Sequence, residues 1–154
     1  METNNKNEID ELNNLLEINN DRIEGYKYAS KETNEMDLKN LFSQLAENSQ
    51  KCKQELISEI KKLGGTPIEG TRVTGKLYRA WMDIRAAVSN KSRKAILKSC
   101  EFGEDIAIKN YEKAIKNIPS ESTIYEIISK QYAAIRADHD KIKNLIDASI
   151  SEMV

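Results

Sequence analysis

Apolar residues recur along this chain at alternating steps of three and four, the interval that lines up one face of an α-helix. From about Glu8 to Lys31 the stripe is Ile9, Leu12, Leu16, Ile23 and Tyr26, with one polar interruption at Asn19. A second run, roughly Met36 to Leu63, carries Leu38, Phe42, Leu45, Leu56 and Leu63, while Ser49 and Cys52 fill the same face. Asn34 is read as its N-cap, because a side-chain oxygen there can accept a free first-turn N–H. The run Gly64-Gly65-Thr66-Pro67 ends it, since glycine takes the left-handed conformation cheaply and proline cannot continue the ladder. The third helix, Ser92 to Asn117, turns Leu97, Cys100, Ala107, Tyr111, Ala114 and Ile118 inward with Glu104 among them, and Pro119-Ser120 breaks it. The last, Glu121 to Ser151, aligns Tyr125, Ile128, Tyr132, Ile135, Ile142 and Ile146, with His139 at the next heptad place.

The connection over residues 64–91 is too long to be a structureless loop in a compact domain. Leu77, Trp81, Ile84 and Val88 give it an apolar stripe of its own, so a short amphipathic helix is expected from about Thr74 to Val88, anchored by Trp81. Short breaks join the first helix to the second and the third to the fourth, which makes antiparallel hairpins, while the long middle connection can cross from end to end. The pattern therefore predicts an all-α fold in one domain over residues 1–154. Its architecture is an antiparallel four-helix bundle of ferritin-like connectivity, with an extra short helix in the crossover.

Composition agrees. Two prolines and six glycines in 154 residues, with 32% of them charged, suit long helices better than a turn-rich β fold. The longest apolar runs, such as Tyr132 to Ile135, fall far short of the ~20 residues of a membrane helix. No membrane association is expected. Met1 to Asn7 is polar and Asn-rich, unlike a secretory signal or an Arg-rich transit peptide, so a cytoplasmic location is the expectation. Cys52 and Cys100 lie inside helical patterns and are read as free thiols and small core hydrophobes.

The formal net charge of -1 conceals an uneven distribution. From Thr71 to Lys98 the basic residues Arg72, Lys76, Arg79, Arg85, Lys91, Arg93, Lys94 and Lys98 face a single acid, Asp83. This stretch is read as a solvated face that pairs with acidic helices of the same or a second subunit. An anion-binding or nucleic-acid-binding module is the alternative, weakened by the scarcity of aromatics beyond Tyr78 and Trp81.

Each long helix sets polar side chains on its core stripe: Asn19, Ser49 with Cys52, Glu104, and His139. Buried polar groups cost free energy unless paired. In di-iron and di-manganese bundles metal explains such a cluster, through a Glu from each of two helices and a Glu-x-x-His from each of the other two. This chain has one histidine and no Glu-x-x-His, since Arg136 stands three residues before His139.

Several segments nonetheless resemble the four metal-bearing helices of rubrerythrin-type ferritin-like proteins: Tyr26-Lys-Tyr-Ala-Ser-Lys, Phe42-x-x-x-Ala-Glu-Asn, Gly103-Glu104 and His139. Further motifs are Glu24-Gly25-Tyr26, Leu63-Gly64-Gly65-Thr66-Pro67, Trp81-x-Asp83-Ile-Arg-Ala-Ala, Cys100-Glu-x-Gly103-Glu104-Asp105 and His139-Asp140. With these the chain is similar to a bacterial family of small ferritin-like four-helix bundles, a domain of unknown function described as stress-associated. The resemblance implies that Asn19 stands for the first-helix Glu and Ser49-x-x-Cys52 for the second-helix Glu-x-x-His. Glu104 and His139 are kept, and Arg136 stands where a carboxylate belongs. A guanidinium there removes an anionic donor and repels a cation.

The expectation is a non-catalytic bundle with a degenerate di-metal site and no cofactor. Its core polar cluster is Asn19, Ser49, Cys52, Glu104, Arg136 and His139, with Glu104 and His139 in a buried network with Arg136. One alternative is a single iron, manganese or zinc ion held by Glu104 and His139, with Cys52 and Cys100 as further candidates. The expected partner is a second copy of the chain, a dimer formed through a helical face.

Overall fold

The computed structural model describes residues 2–69, 82, 86 and 93–152. Four long helices account for nearly all of them: α1 (Glu2–Glu32), α2 (Met36–Lys62), α3 (Arg93–Asn117) and α4 (Thr123–Glu152). No strand occurs among the described residues. The helix starts and stops lie close to those the apolar pattern predicts, except that α1 begins earlier, at Glu2. The expected crossover helix over 74–88, with Trp81, lies outside the described residues apart from Met82 and Ala86.

Local chemistry explains the ends. At the start of α2 the N-cap is Glu35, without a side-chain cap hydrogen bond, rather than Asn34. Thr33 Oγ1 accepts the Glu35 N–H instead, at 3.3 Å. At the other end Gly64 has φ +83°. Its N–H reaches the Lys61 carbonyl at 3.0 Å and the Gly65 N–H reaches the Ile60 carbonyl at 2.9 Å, the pair of bonds that closes a helix through a left-handed glycine. A Cβ at Gly65 would stand 2.8 Å from Ile9 Cγ2, so the chain leaves α2 pressed against α1. Asn13 then holds the departing segment, donating to the Thr66 carbonyl and accepting from the Ile68 N–H.

α1 packs chiefly on α2 and α3 chiefly on α4, with α1 also touching α3 and α2 touching α4. That is the arrangement expected of a four-helix bundle. Apolar burial, which drives such packing, falls into two separate clusters. One gathers Leu12, Leu16, Leu56, Ile60, Ala107, Tyr111 and Ile128. The other gathers Tyr26, Phe42, Leu45, Leu97, Cys100 and Ile142, with the Tyr26 and Phe42 rings stacked. Polar side chains from all four helices lie between the two.

Candidate functional site

On α1, Asn19, Arg22 and Tyr26 follow one another at steps of three and four and so share a face. All three are buried. On α3, Glu104 and Tyr111 are seven residues apart, as are Gln131 and Asp138 on α4, and all four are buried. Seven residues are two turns, or roughly 10 Å along a helix. The spacing therefore produces two polar layers.

In the first layer Arg22 presents Nε and Nη2 to one oxygen of Glu104, Oε1, at 3.3 and 2.8 Å. The same Nη2 lies 3.4 Å from Asp138 Oδ2. Asn48 on α2 donates to both oxygens of Asp138, at 3.2 and 3.4 Å. The Tyr26 hydroxyl adds a further donor to Glu104 Oε1. Glu104 Oε2 has no hydrogen-bond partner among the described residues. One guanidinium thus answers two carboxylates in the centre of the molecule, and Lys141 Nζ approaches Asp138 at 4.0 Å from the edge.

In the second layer the Tyr111 hydroxyl accepts from Asn19 Nδ2 at 2.8 Å and donates to Gln131 Oε1 at 2.7 Å. Gln131 Nε2 then donates to the Cys52 carbonyl and to Glu55 Oε1, which brings in α2. Arg22 Nη1 links the layers through Asn19 Oδ1 at 3.5 Å.

Burial dominates the electrostatics. It pulls the Arg22 pKa down, but the charge of Glu104, reinforced by Tyr26 and Asp138, outweighs it and holds the guanidinium above its usual value. Burial raises the Asp138 carboxyl despite the opposing charge of Arg22. It also raises Tyr26, with the Glu104 charge adding to the effect. Tyr111 is pushed up for the same first reason. The Cys52 thiol is pushed up to about 11, by burial first, and Cys100 is raised by burial and by the Glu104 charge. Both cysteines are free and buried.

The sequence-predicted cluster is only partly assembled. Asn19 and Glu104 belong to it, and Cys52 joins through its backbone carbonyl. Ser49 is buried, but its hydroxyl donates to the Leu45 carbonyl of its own helix at 2.9 Å and stays out of the network. Arg136 is exposed, its guanidinium 6.0 Å from the centre of the Tyr132 ring, and does not reach Glu104. Arg22, from a different helix, takes that role. His139 also lies outside the layers, with Nε2 2.8 Å from Asp105 Oδ1 and Nδ1 3.5 Å from Asp140 Oδ1 near the surface. Its neighbour Asp138 is the buried residue. The Glu104, His139, Cys52 and Cys100 candidates are therefore not gathered as one donor set, and no cluster of three or more His, Cys, Asp or Glu fit to hold a metal occurs among the described residues.

Arg22, Asn48, Gln131 and Asp138 are the residues that stripe reading passes over. The available signal was the shared seven-residue interval of Glu104 to Tyr111 and Gln131 to Asp138, in phase with Ile128, Ile135 and Ile142.

Of the basic stretch, Arg72, Lys76, Arg79, Arg85 and Lys91 lie outside the described residues. Arg93 is engaged within the chain, with Asp37 at 3.1 and 2.7 Å and with Glu35 at 3.2 Å. Lys94 and Lys98 are exposed. No described helix is long and apolar enough to cross a membrane.

A sequence profile of the family described as Domain of unknown function (DUF2383) matches residues 7–117. The matched segment includes Arg22, Asn48, Glu104 and Tyr111 and stops before α4. No curated protein matches the chain.

Proposed function

We propose that this chain, which belongs to the DUF2383 family, is a non-catalytic ferritin-like bundle whose centre carries a resident guanidinium where di-metal bundles of that architecture carry metal. The observation behind this reading is Arg22 between Glu104 and Asp138. The Arg22 guanidinium places one positive charge between the two carboxylates, in the region where metal ions would otherwise balance them.

The antiparallel, ferritin-like arrangement draws support from the cross-helix pairs. Glu11 with Asn117 and Arg22 with Glu104 run in opposite senses along α1 and α3. Asn48 with Asp138 and Cys52 with Gln131 do so along α2 and α4. Arg93, at the start of α3, meets Asp37 at the start of α2, so these two helices begin at the same end of the bundle.

The donor set does not fit a metal pair. Glu104 Oε1 is already used by three donors, His139 is engaged with Asp105, and a thiolate at either cysteine is disfavoured by burial. A stress-associated role rests on the family resemblance and not on this chemistry.

The test is metal content per chain by mass spectrometry after incubation with iron, manganese and zinc, alongside the NMR signal of the Arg22 Nε–H. The expected result is no stoichiometric metal and a slowly exchanging Nε–H resonance that added metal does not move. Two metals per chain, with loss of that resonance, would overturn the reading.

A further inference from the structure

Between α1 and α2 runs an open groove of about 580 Å³, within the range that accommodates a small organic molecule. Lys27 and Lys31 line it from α1 and Lys39 from α2, above Ser30, Ser43 and Ala46. Ser30 Oγ donates to the Lys39 carbonyl at 3.1 Å, so Ser43 is the donor in the 2.7 Å contact between the two hydroxyls. Both hydroxyl protons are used in joining the helices, which leaves the ammonium groups as the strong donors of the groove.

None of the three lysines takes part in an ion pair with another described residue. Glu47 is the one acid of the lining, so the groove carries a net charge of +2. Its walls are mostly apolar, formed by Ala46 and the lysine methylene stems, which cover apolar surface while their charged ends reach water. Apolar walls with cationic ends fit a ligand with an apolar body and a compact anionic head. A phosphate monoester, with a charge of roughly -1.5 to -2 at neutral pH, matches the charge of the lining, and lysine binds such a head as a point charge.

We propose that the α1–α2 groove is a binding site for a small organic phosphate monoester, its anionic head held by Lys27, Lys31 and Lys39 and its apolar body against Ala46 and the lysine methylene stems. The site is independent of the buried Arg22 centre and does not rest on the reading given above for it.

The test uses the full chain, labelled with nitrogen-15 and titrated with phenyl phosphate, inorganic phosphate and phenol at low salt. Saturable shifts at the amides of Ser30, Ser43, Ala46 and Gln50 are expected with phenyl phosphate, with affinity roughly tenfold above that for inorganic phosphate. The combined variant Lys27→Gln, Lys31→Gln, Lys39→Gln, melting at the parent temperature, should lose roughly tenfold or more in affinity, and Lys31→Gln alone several-fold. Equal binding of phenol, shifts scattered over distant lysines without saturation, or unchanged affinity in both variants would overturn the proposal. Binding to phosphatidic acid vesicles without binding of phenyl phosphate would also overturn it, since the groove would then serve a membrane surface.

Discussion

Arg22 and Glu104 are separated by 82 residues and meet at a single carboxylate oxygen, where the guanidinium supplies two donors and the Tyr26 hydroxyl a third. Three donors therefore converge on one buried oxygen. It joins α1 to α3, and Asp138 extends it to α4.

Removing Arg22 takes the close cation from both buried carboxylates and leaves Asp138 only the more distant Lys141. Arg22→Met should therefore lower stability by about 3–5 kcal/mol in urea denaturation, whereas combining it with Glu104→Leu and Asp138→Leu should return much of that loss. A single variant as stable as the parent would argue against the buried pairing.

The second layer and the surface histidine make a contrasting pair. Tyr111→Phe takes the hydroxyl partner from the Asn19 amide N–H and from Gln131 Oε1 and should cost about 1–3 kcal/mol. His139→Ala removes only a contact near the surface and should change stability by under about 1 kcal/mol. Thermal melts of both variants at neutral pH check the order, and a larger loss at His139 would reverse this view of α4.

Asp21 provides a dependence on pH. Every residue of α1 from Ile18 to Ile23 is buried, Asp21 included. Burial first, and the charge of Glu17 second, push its carboxyl up to about 7. The folded chain therefore binds this proton more tightly than the unfolded chain does. Stability from this group is greatest at low pH, falls as pH rises from about 4 to about 7, and stays reduced above. Asp21→Asn should be more stable than the parent at pH 8 by about 1–2 kcal/mol, a value below full linkage because the asparagine amide that replaces the carboxyl carries its own cost of burial. At pH 4 the gain should nearly vanish. Equal gains at both pH values would count against the shift.

Gly64 closes α2 at φ +83° with open space where a Cβ would stand, so only backbone conformation opposes a side chain there. Gly64→Ala should lower stability by about 1 kcal/mol. Gly64→Asn should cost less, since asparagine tolerates the left-handed region. Equilibrium denaturation of the two variants gives the comparison.

How far the site was legible differs helix by helix. On α2 and α3 the apolar stripe identifies the inward residues, Ser49, Cys52 and Glu104 among them. On α4 it errs by one position: Tyr125, Tyr132 and His139 lie partly out, while Ile124, Gln131 and Asp138 are in. Both sets are compatible with Ile128, Ile135 and Ile142, and hydropathy favours tyrosine over glutamine. Gln131 and Asp138 are nonetheless inside because Tyr111 and Arg22 are there to pair with them. Arg22 is hidden for the same reason, as arginine is almost never fully buried without a partner, and its partners come from α3 and α4.

The sequence by itself determined where most of the helix ends fall, the start of α1 and the N-cap of α2 excepted, because three-four periodicity and the left-handed Gly64 act over a few neighbouring residues. It also determined that polar groups interrupt the core. Which arginine answers Glu104, and which face of α4 turns inward, was decided only in the tertiary structure. A buried charge is tolerated where another chain segment brings it a counterion, and that meeting depends on how the four helices pack.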